Sequence, residues 1–292
     1  MRTLKATARD TDDGRLIKHF LRSELGLSSH QLSVAKFSGG IFVNGVNVRA
    51  DYPLKPGDLI ELCIAEHSER AVRPEEGPVP LPYADQDVMV IDKPAPLACQ
   101  CSERQSTGTL ENRLAWHFRD RDSFVFRPVN RLDKGTSGLM AAAMHPLAFR
   151  NLQSALHTDG FVREYLAVVD GLLYGSGTID LPIAKEPAAS VRRIVDNKTG
   201  KPSVTHYRAI RQGRGRTLVR LRLETGRTHQ IRVHMRALGH PVTGDFLYGT
   251  EIDALPGRFA LHSAYIAFDH PVTGARIVCE SPLPEPLERL LL

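Results

Sequence analysis

One stretch, Glu66 to Pro82, does most to limit what this chain can fold into. It reads E-H-S-E-R-A-V-R-P-E-E-G-P-V-P-L-P: charged, rich in proline and poor in large apolar residues. Proline fixes φ and removes a backbone donor, so the stretch suits neither helix nor strand. The 292 residues therefore divide into a small unit over 1–68, a linker over 69–83 and a large unit over 84–292. These lengths fit one small and one large domain.

In the small unit, Leu16, Phe20, Leu21 and Leu25 fall on one side of a helix, with Lys18 and Arg22 on the other. Ser28 and Gln31 have the spacing of a capping box for a second helix carrying Leu32, Val34 and Phe37. Ile41-Phe42-Val43, Asn44-Gly45 and Val46-Asn47-Val48 predict a β-hairpin, because Asn-Gly between apolar strands favours the tight turn. A Lys55-Pro56-Gly57-Asp58 turn leads into a last strand, Leu59 to Ile64.

The large unit alternates strands and helices. Strands are expected at Asp87–Ile91 and near 162–169, 203–210 and 217–224. Helices are expected at Thr109–Phe118, from Pro146 through Leu156, and as a basic helix near Gln230–Leu238. The fold class is α+β: a large mixed, mainly antiparallel sheet flanked by helices, preceded by the small helix-helix-hairpin unit. His-Pro-Val-Thr-Gly occurs at 240–244 and again at 270–274, which reads as loop chemistry rather than a structural repeat.

Charge narrows the partner. Residues 190–240 hold thirteen Lys/Arg against two Asp/Glu, so this stretch carries +11 while the whole chain carries +5. A basic region on an otherwise acidic chain points to a polyanion. In Leu218-Val219-Arg220-Leu221-Arg222-Leu223 the alternation sends arginines to one face of a strand and apolar residues to the other. No run approaches the roughly 18 apolar residues that span a bilayer, and the polar start, Met1 to Gly14, is no secretory signal. A cytoplasmic protein that makes no membrane contact, monomeric by default, is the expectation. Cys63, Cys99, Cys101 and Cys279 are too irregularly spaced for a disulfide framework and read as reduced thiols. Cys99-x-Cys101 has no second Cys or His pair at zinc spacing, and His229 and His234, five apart, do not share a helix face.

The chemistry concentrates in Phe126 to Leu139, F-R-P-V-N-R-L-D-K-G-T-S-G-L. Asp133 sits between Arg131 and Lys134, ahead of a Gly135–Gly138 turn, at a strand-to-loop junction where side chains face clefts. An acid held among positive charges stays ionised and serves as nucleophile or base. An isolated Asp between basic residues is also a common surface ion pair. The run closely resembles the H-R-L-D-x-x-T-S-G-L signature of the RluA-type RNA pseudouridine synthases, with Asn130 in place of the histidine. R-E-Y-L-A-V-V-D-G at Arg163 to Gly171 and L-E-T-G-R-T-H-Q-I-R-V-H-M at Leu223 to Met235 resemble the family's second and third motifs. G-H-P-V-T-G-D at Gly239 to Asp245 and L-H-S at Leu261 to Ser263 follow in family order. The small unit is similar to an RNA-binding domain named after a ribosomal small-subunit protein.

The resemblance implies an enzyme that isomerises uridines of structured RNA, ribosomal in preference to transfer RNA, to pseudouridine, without cofactor or metal. It implies Asp133, Tyr165 and Arg227 as the catalytic set, with Arg131 taking the space left by a flipped nucleotide. RNA contacts are expected from Lys18, Arg22 and Lys36 in the small unit and from Arg220, Arg222 and Arg232 in the large one. Breaking an N-glycosidic bond and rejoining the base through carbon needs a reactive carboxylate, a cation to steady charge and an aromatic surface for the extruded base. Read without the family, Tyr165 is a plausible core residue and Arg227 a solvated turn residue. Asn130 removes acid–base work from its position. A non-catalytic RNA-binding or ribosome-assembly factor is the competing class, and it has no need of all three catalytic residues. A glycoside-type hydrolase would want a second acidic motif, which does not stand out.

Overall fold

The computed structural model describes residues 2–25, 27, 29–64, 72–121, 124–187 and 191–292. The small unit builds a four-stranded sheet in the order β1 (Arg2–Thr7), β4 (Leu59–Ile64), β2 (Ile41–Val43), β3 (Val46–Asn47). Helices α1 (Ile17–Ser23) and α2 (Ser29–Phe37) accompany it. Asn44 and Gly45 both adopt positive φ, as the two-residue hairpin turn requires. Ile17, Phe20 and Leu21 of α1 join Leu32, Ile41, Val43, Ile60 and Leu62 in a separate core. The buried face of α1 thus begins at Ile17, while Leu16 is its N-cap. The Ser28–Gln31 capping box and the linker up to residue 71 lie outside the described residues.

Residues 72–82 form neither helix nor strand, yet they are not a free tether. Val79 and Leu81 pack on the large core. Asn112 Nδ2 donates to Arg73 O (2.8 Å), Glu75 N to Asn112 O (3.0 Å) and Asp92 N to Pro80 O (2.9 Å). Proline-rich backbone with few ladder partners is satisfied here by side chains and strand edges.

In the large unit the strands are β5 (Tyr83–Ala84), β6 (Val88–Lys93), β7 (Arg127–Pro128), β8 (Ser137–Ala143), β9 (Val162–Asp170), β10 (Ser176–Asp180), β11 (Ile183–Lys185), β12 (Arg193–Val195), β13 (Val204–Gly213), β14 (Arg216–Leu223), β15 (Leu261–Asp269) and β16 (Arg276–Glu280). The helices are α3 (Leu110–His117), α4 (Pro146–Ala155), α5 (Gln230–Ala237) and α6 (Glu285–Glu288). Among the described residues ten strands make one sheet in the order β10-β13-β14-β9-β15-β8-β6-β5, with β16 on β15 and β7 on β8; β11 and β12 pair separately. The pairing is antiparallel except between β15 and β8, so the α+β fold with a mixed, mainly antiparallel sheet is what forms.

Both faces of the central strands are covered. Val88 and Val90 turn to the side of α4, with Leu139, Ala141 and Leu152. Met89 and Ile91 turn to the other side, with Leu114, Met140 and Ala167. Alternate residues of one strand thus feed two cores. One row across the sheet positions the site: Leu221 of β14 faces Tyr165 of β9, Tyr165 faces Ser263 of β15, and Ser263 faces Gly138 of β8. Gly138 has φ +104°, and a Cβ there would fall 2.2 Å from Ser263 O, so only glycine admits this approach. Ser137 and Gly138 therefore belong to strand β8, and the turn read over 135–138 is confined to Lys134 and Gly135. Among the described residues no helix is long and apolar enough to cross a membrane.

Candidate active site

Asp133 lies in the loop between β7 and β8, and its neighbours hold that loop on several sides. Asn130 Oδ1 accepts from Ala141 N (2.9 Å), extending the β7–β8 pairing through a side chain. Cys99 Sγ donates to Leu132 O (3.1 Å). The fully buried Lys93 donates from Nζ to Leu97 O (2.7 Å) and Pro94 O (3.1 Å), with Lys134 O at 3.4 Å. Burial pushes its ammonium down to about 8, while the nearby Cys99 and Asp133 pull it upward. The carboxylate of Asp133 remains partly open, at 27% exposure.

Its cationic partner is Arg232. Nη1 of Arg232 donates to Asp133 Oδ2 at 2.9 Å, while Nε and Nη2 form a two-pronged bridge to Asp245 Oδ2 (2.7 Å) and Oδ1 (2.8 Å). Arg232 and Asp245 are both buried, and the guanidinium lies 4.1 Å from the ring centre of Phe259 and 5.0 Å from that of Tyr248. Backbone N–H groups of Leu247 (3.0 Å) and Tyr248 (3.2 Å) also bond to Asp245 Oδ1. A planar fork with fixed donors can serve two carboxylates at once, which a lysine cannot do.

His229 precedes α5 in the left-handed region, φ +59°, an uncommon conformation for a residue with a side chain. Tyr248 Oη accepts from Arg193 N (2.8 Å) and shares a hydrogen bond with His229 Nδ1 (2.9 Å). The other ring nitrogen, Nε2, faces Asp133 Oδ2 at 3.9 Å. Burial lowers the His229 pKa, against the pull of Asp133. Tyr165 is buried; burial raises its phenol pKa. Asp133, Tyr165, Arg131 and Arg227 all line one cavity of about 690 Å³.

Two comparisons decide the family. The model of the RNA pseudouridylate synthase family matches residues 87–237, more than half of the chain. An uncharacterized RNA pseudouridine synthase of Bacillus subtilis, YlyB, is 37% identical over 100% of this chain and 98% of its own. The chain belongs to the RNA pseudouridylate synthase family. Ribosomal large subunit pseudouridine synthase D of Xanthomonas campestris is 38% identical over 87% of this chain and 81% of its own. Among solved structures, human RNA pseudouridylate synthase domain containing 1 superposes with a TM-score of 0.60 at 25% identity, covering 77% of this chain and 90% of that one. The chain is an RNA pseudouridine synthase, an isomerase that modifies RNA.

In this pseudouridine synthase the two arginines of the third motif lie differently about Asp133. The guanidinium on Asp133 is that of Arg232, not Arg227. Arg227 stands in the turn before α5, its Nε donating to Pro202 O (3.2 Å), on the rim of the shared cavity. Arg232 is no exposed RNA contact: it is 2% exposed and bonded to two acids. The physical reason is α5 itself. Gln230, Arg232 and His234 give the helix its polar character but are all buried, because each meets a partner from another element. Arg220 and Arg222 point outward from β14 with Val219 and Leu221 inward. Arg220 lies 3.3 Å from Glu164. Arg131, Arg22 and Lys36 are exposed and Lys18 half-buried.

Sequence reading set His229 aside as a metal ligand, and gave no site role to it, to Asp245 or to Tyr248. The left-handed His229 leaves no trace in sequence, and Asp245 meets Arg232 only because α5 folds back on the loop that follows it. A group of acids and one histidine outside the cavity, Asp85, Asp87 and His270, brings its ligating atoms within 4.8 Å of one another. His270 Nδ1 accepts from Val272 N (3.2 Å) and Thr273 N (3.0 Å), which leaves the ring proton on the Nε2 that donates to Asp85 (2.9 Å). A protonated nitrogen cannot ligate a cation, so the group reads as a loop lock.

Proposed function

We propose that this chain converts a uridine of structured ribosomal RNA, of the large subunit in particular, to pseudouridine through Asp133. The base leaves the helical stack and enters the cavity, with Arg131 filling the gap behind it. The Asp133 carboxylate acts on the ribose while the N1–C1′ bond opens. The detached uracil turns and rejoins through C5, the C5 proton is lost and N1 gains one, so product and substrate are isomers. Arg232 holds the carboxylate in register and steadies charge as the bond breaks. Tyr165 lies beside the base, and Arg227 sits on the rim where the strand enters. The small unit contributes RNA affinity through Lys18, Arg22 and Lys36, on the pattern of the ribosomal-protein domain it resembles.

The observation that carries this reading is the Asp133–Arg232–Asp245 chain, a carboxylate left partly open at a cavity edge while its cation is anchored from behind. The likeness to ribosomal large subunit pseudouridine synthases D supports the choice of RNA. The test is to map pseudouridine in total RNA from cells with and without the gene, then to modify unmodified large-subunit and transfer RNA transcripts with purified protein. A site in large-subunit RNA that disappears with the gene and returns in vitro is expected. Modification confined to transfer RNA would overturn the target, and no modification in either would overturn the activity.

A further inference from the structure

The same cavity holds a cation that the chemistry above does not use. Arg163 precedes Tyr165 by two residues on β9 and so projects from the same side of the strand. It is 4% exposed, yet its Nε meets no acceptor, and Nη2 has a single long contact, 3.4 Å to Leu156 O. Among the described residues no carboxylate lies within ion-pair distance of it, whereas buried arginines are ordinarily paired. The nearest enclosure is made for it: a Cβ on Gly226 would fall 3.2 Å from Arg163 Nη1.

Its surroundings are positive. His157 and Arg227 line the cavity beside it, and the His157 pKa is lowered by burial and by the charges of Arg163 and Arg227. Asp133 is the one carboxylate among the cavity's lining residues, and it is bound to Arg232. In the adjoining hollow, Glu224 is held by His206 at 2.6 Å and Asp159 is exposed. A second orphaned donor, Asn130 Nδ2, also belongs to a residue that lines the cavity. The Phe161 ring lies 5.9 Å from the Arg163 guanidinium, but a buried charge with spare donors and no carboxylate partner lacks an anion, and the anion that RNA brings is phosphate.

We propose that Arg163, with His157 and Arg227 beside it, seats one backbone phosphate of the RNA inside the cleft, apart from the carboxylate that works on the sugar. The proposal rests on the RNA-modifying function above and adds where the strand is held. A seated phosphate fixes the ribose relative to Asp133, so Arg163 is a positioning residue. Its bonds to a charged group are worth enough to change affinity by about tenfold or more.

The test uses the whole chain and titration calorimetry with uridine, uridine 3′-monophosphate, uridine 5′-monophosphate and inorganic phosphate. In the wild type one of the monophosphates should bind about tenfold or more tighter than uridine. In Arg163→Met that preference should fall to within about twofold, with uridine affinity unchanged, and Arg163→Lys should restore part of it. Arg163→Gln keeps a polar side chain of similar reach but removes the charge, so it too should lower the preference, and it serves if Arg163→Met does not fold. An equal affinity for uridine and both monophosphates in the wild type, or a preference that survives Arg163→Met or Arg163→Gln, overturns the proposal. Arg163-dependent phosphate binding in a protein that modifies no RNA would sink the proposed function and leave this seat standing; the reverse result would sink the seat alone.

Discussion

Arg232 binds Asp133 with one nitrogen and Asp245 with the other two, so a single side chain ties the open carboxylate to a buried one. The two acids differ in what they share with solvent: Asp245 is fully buried and Asp133 is 27% exposed. One end of the chain is structural and the other is free to meet a substrate.

Asp133→Asn should therefore remove turnover without harming the fold. The bridge between Arg232 and Asp245 survives the change, and an amide oxygen still accepts a hydrogen bond. Single-turnover pseudouridine formation should drop to background while RNA affinity and melting temperature stay close to wild type. Turnover near the wild-type rate would refute the assignment of Asp133.

Replacing the cation should have a different outcome. Arg232→Met leaves Asp245 buried without its partner, a change that costs roughly 3–5 kcal/mol. Denaturant unfolding should show a loss of that size along with the loss of activity. A stability within about 0.5 kcal/mol of wild type would mean that the bridge is not structural.

RNA binding should weaken steeply with salt, because several phosphates must be neutralised. Arg222 is exposed on β14, so Arg222→Ala should lower the slope of log affinity against log salt by about one and leave site choice unchanged. Affinity measured from low to physiological salt checks both points, and a flat response would contradict the basic surface.

Acid should destabilise the fold earlier than carboxylate titration alone would. His157, His229, His234 and His262 all have pKa values lowered from 6.5, burial being the first cause in each. Below about pH 6.5 the unfolded chain binds protons that the folded chain refuses, so stability is full above that pH and declines as pH falls toward the depressed values. Thermal melts across pH 8 to 5 should show this decline. His234→Gln should flatten it in part, since Nδ1 faces Thr205 Oγ1 and Nε2 donates to Leu181 O. A melting temperature constant across that range would argue against buried neutral imidazoles.

How much of this was legible in the sequence depends on how local each feature is. The alternation along Val219 to Arg222, the Asn44-Gly45 hairpin and the helix opening at Pro146 are set by near neighbours, and they read correctly. The pairing of Asp133 with Arg232 crosses 99 residues, and which of two arginines five positions apart would reach it was fixed by how α5 packs. A basic, polar helix read as a surface because sequence shows its charges but not the partners that bury them. The proline-rich stretch before β5 forms neither helix nor strand, as its composition implies, but composition does not show that Asn112 and the edge of β6 bind residues 73–80 to the large unit.

The shared guanidinium also says what decay of this enzyme would look like. A descendant that abandoned the reaction could discard Asp133 at little expense, but it could not discard Arg232 without stranding the acid beneath. On the role proposed for Asp133, the arginine would outlive the chemistry in such lineages, its presence reporting a standing fold and the aspartate alone a working catalyst.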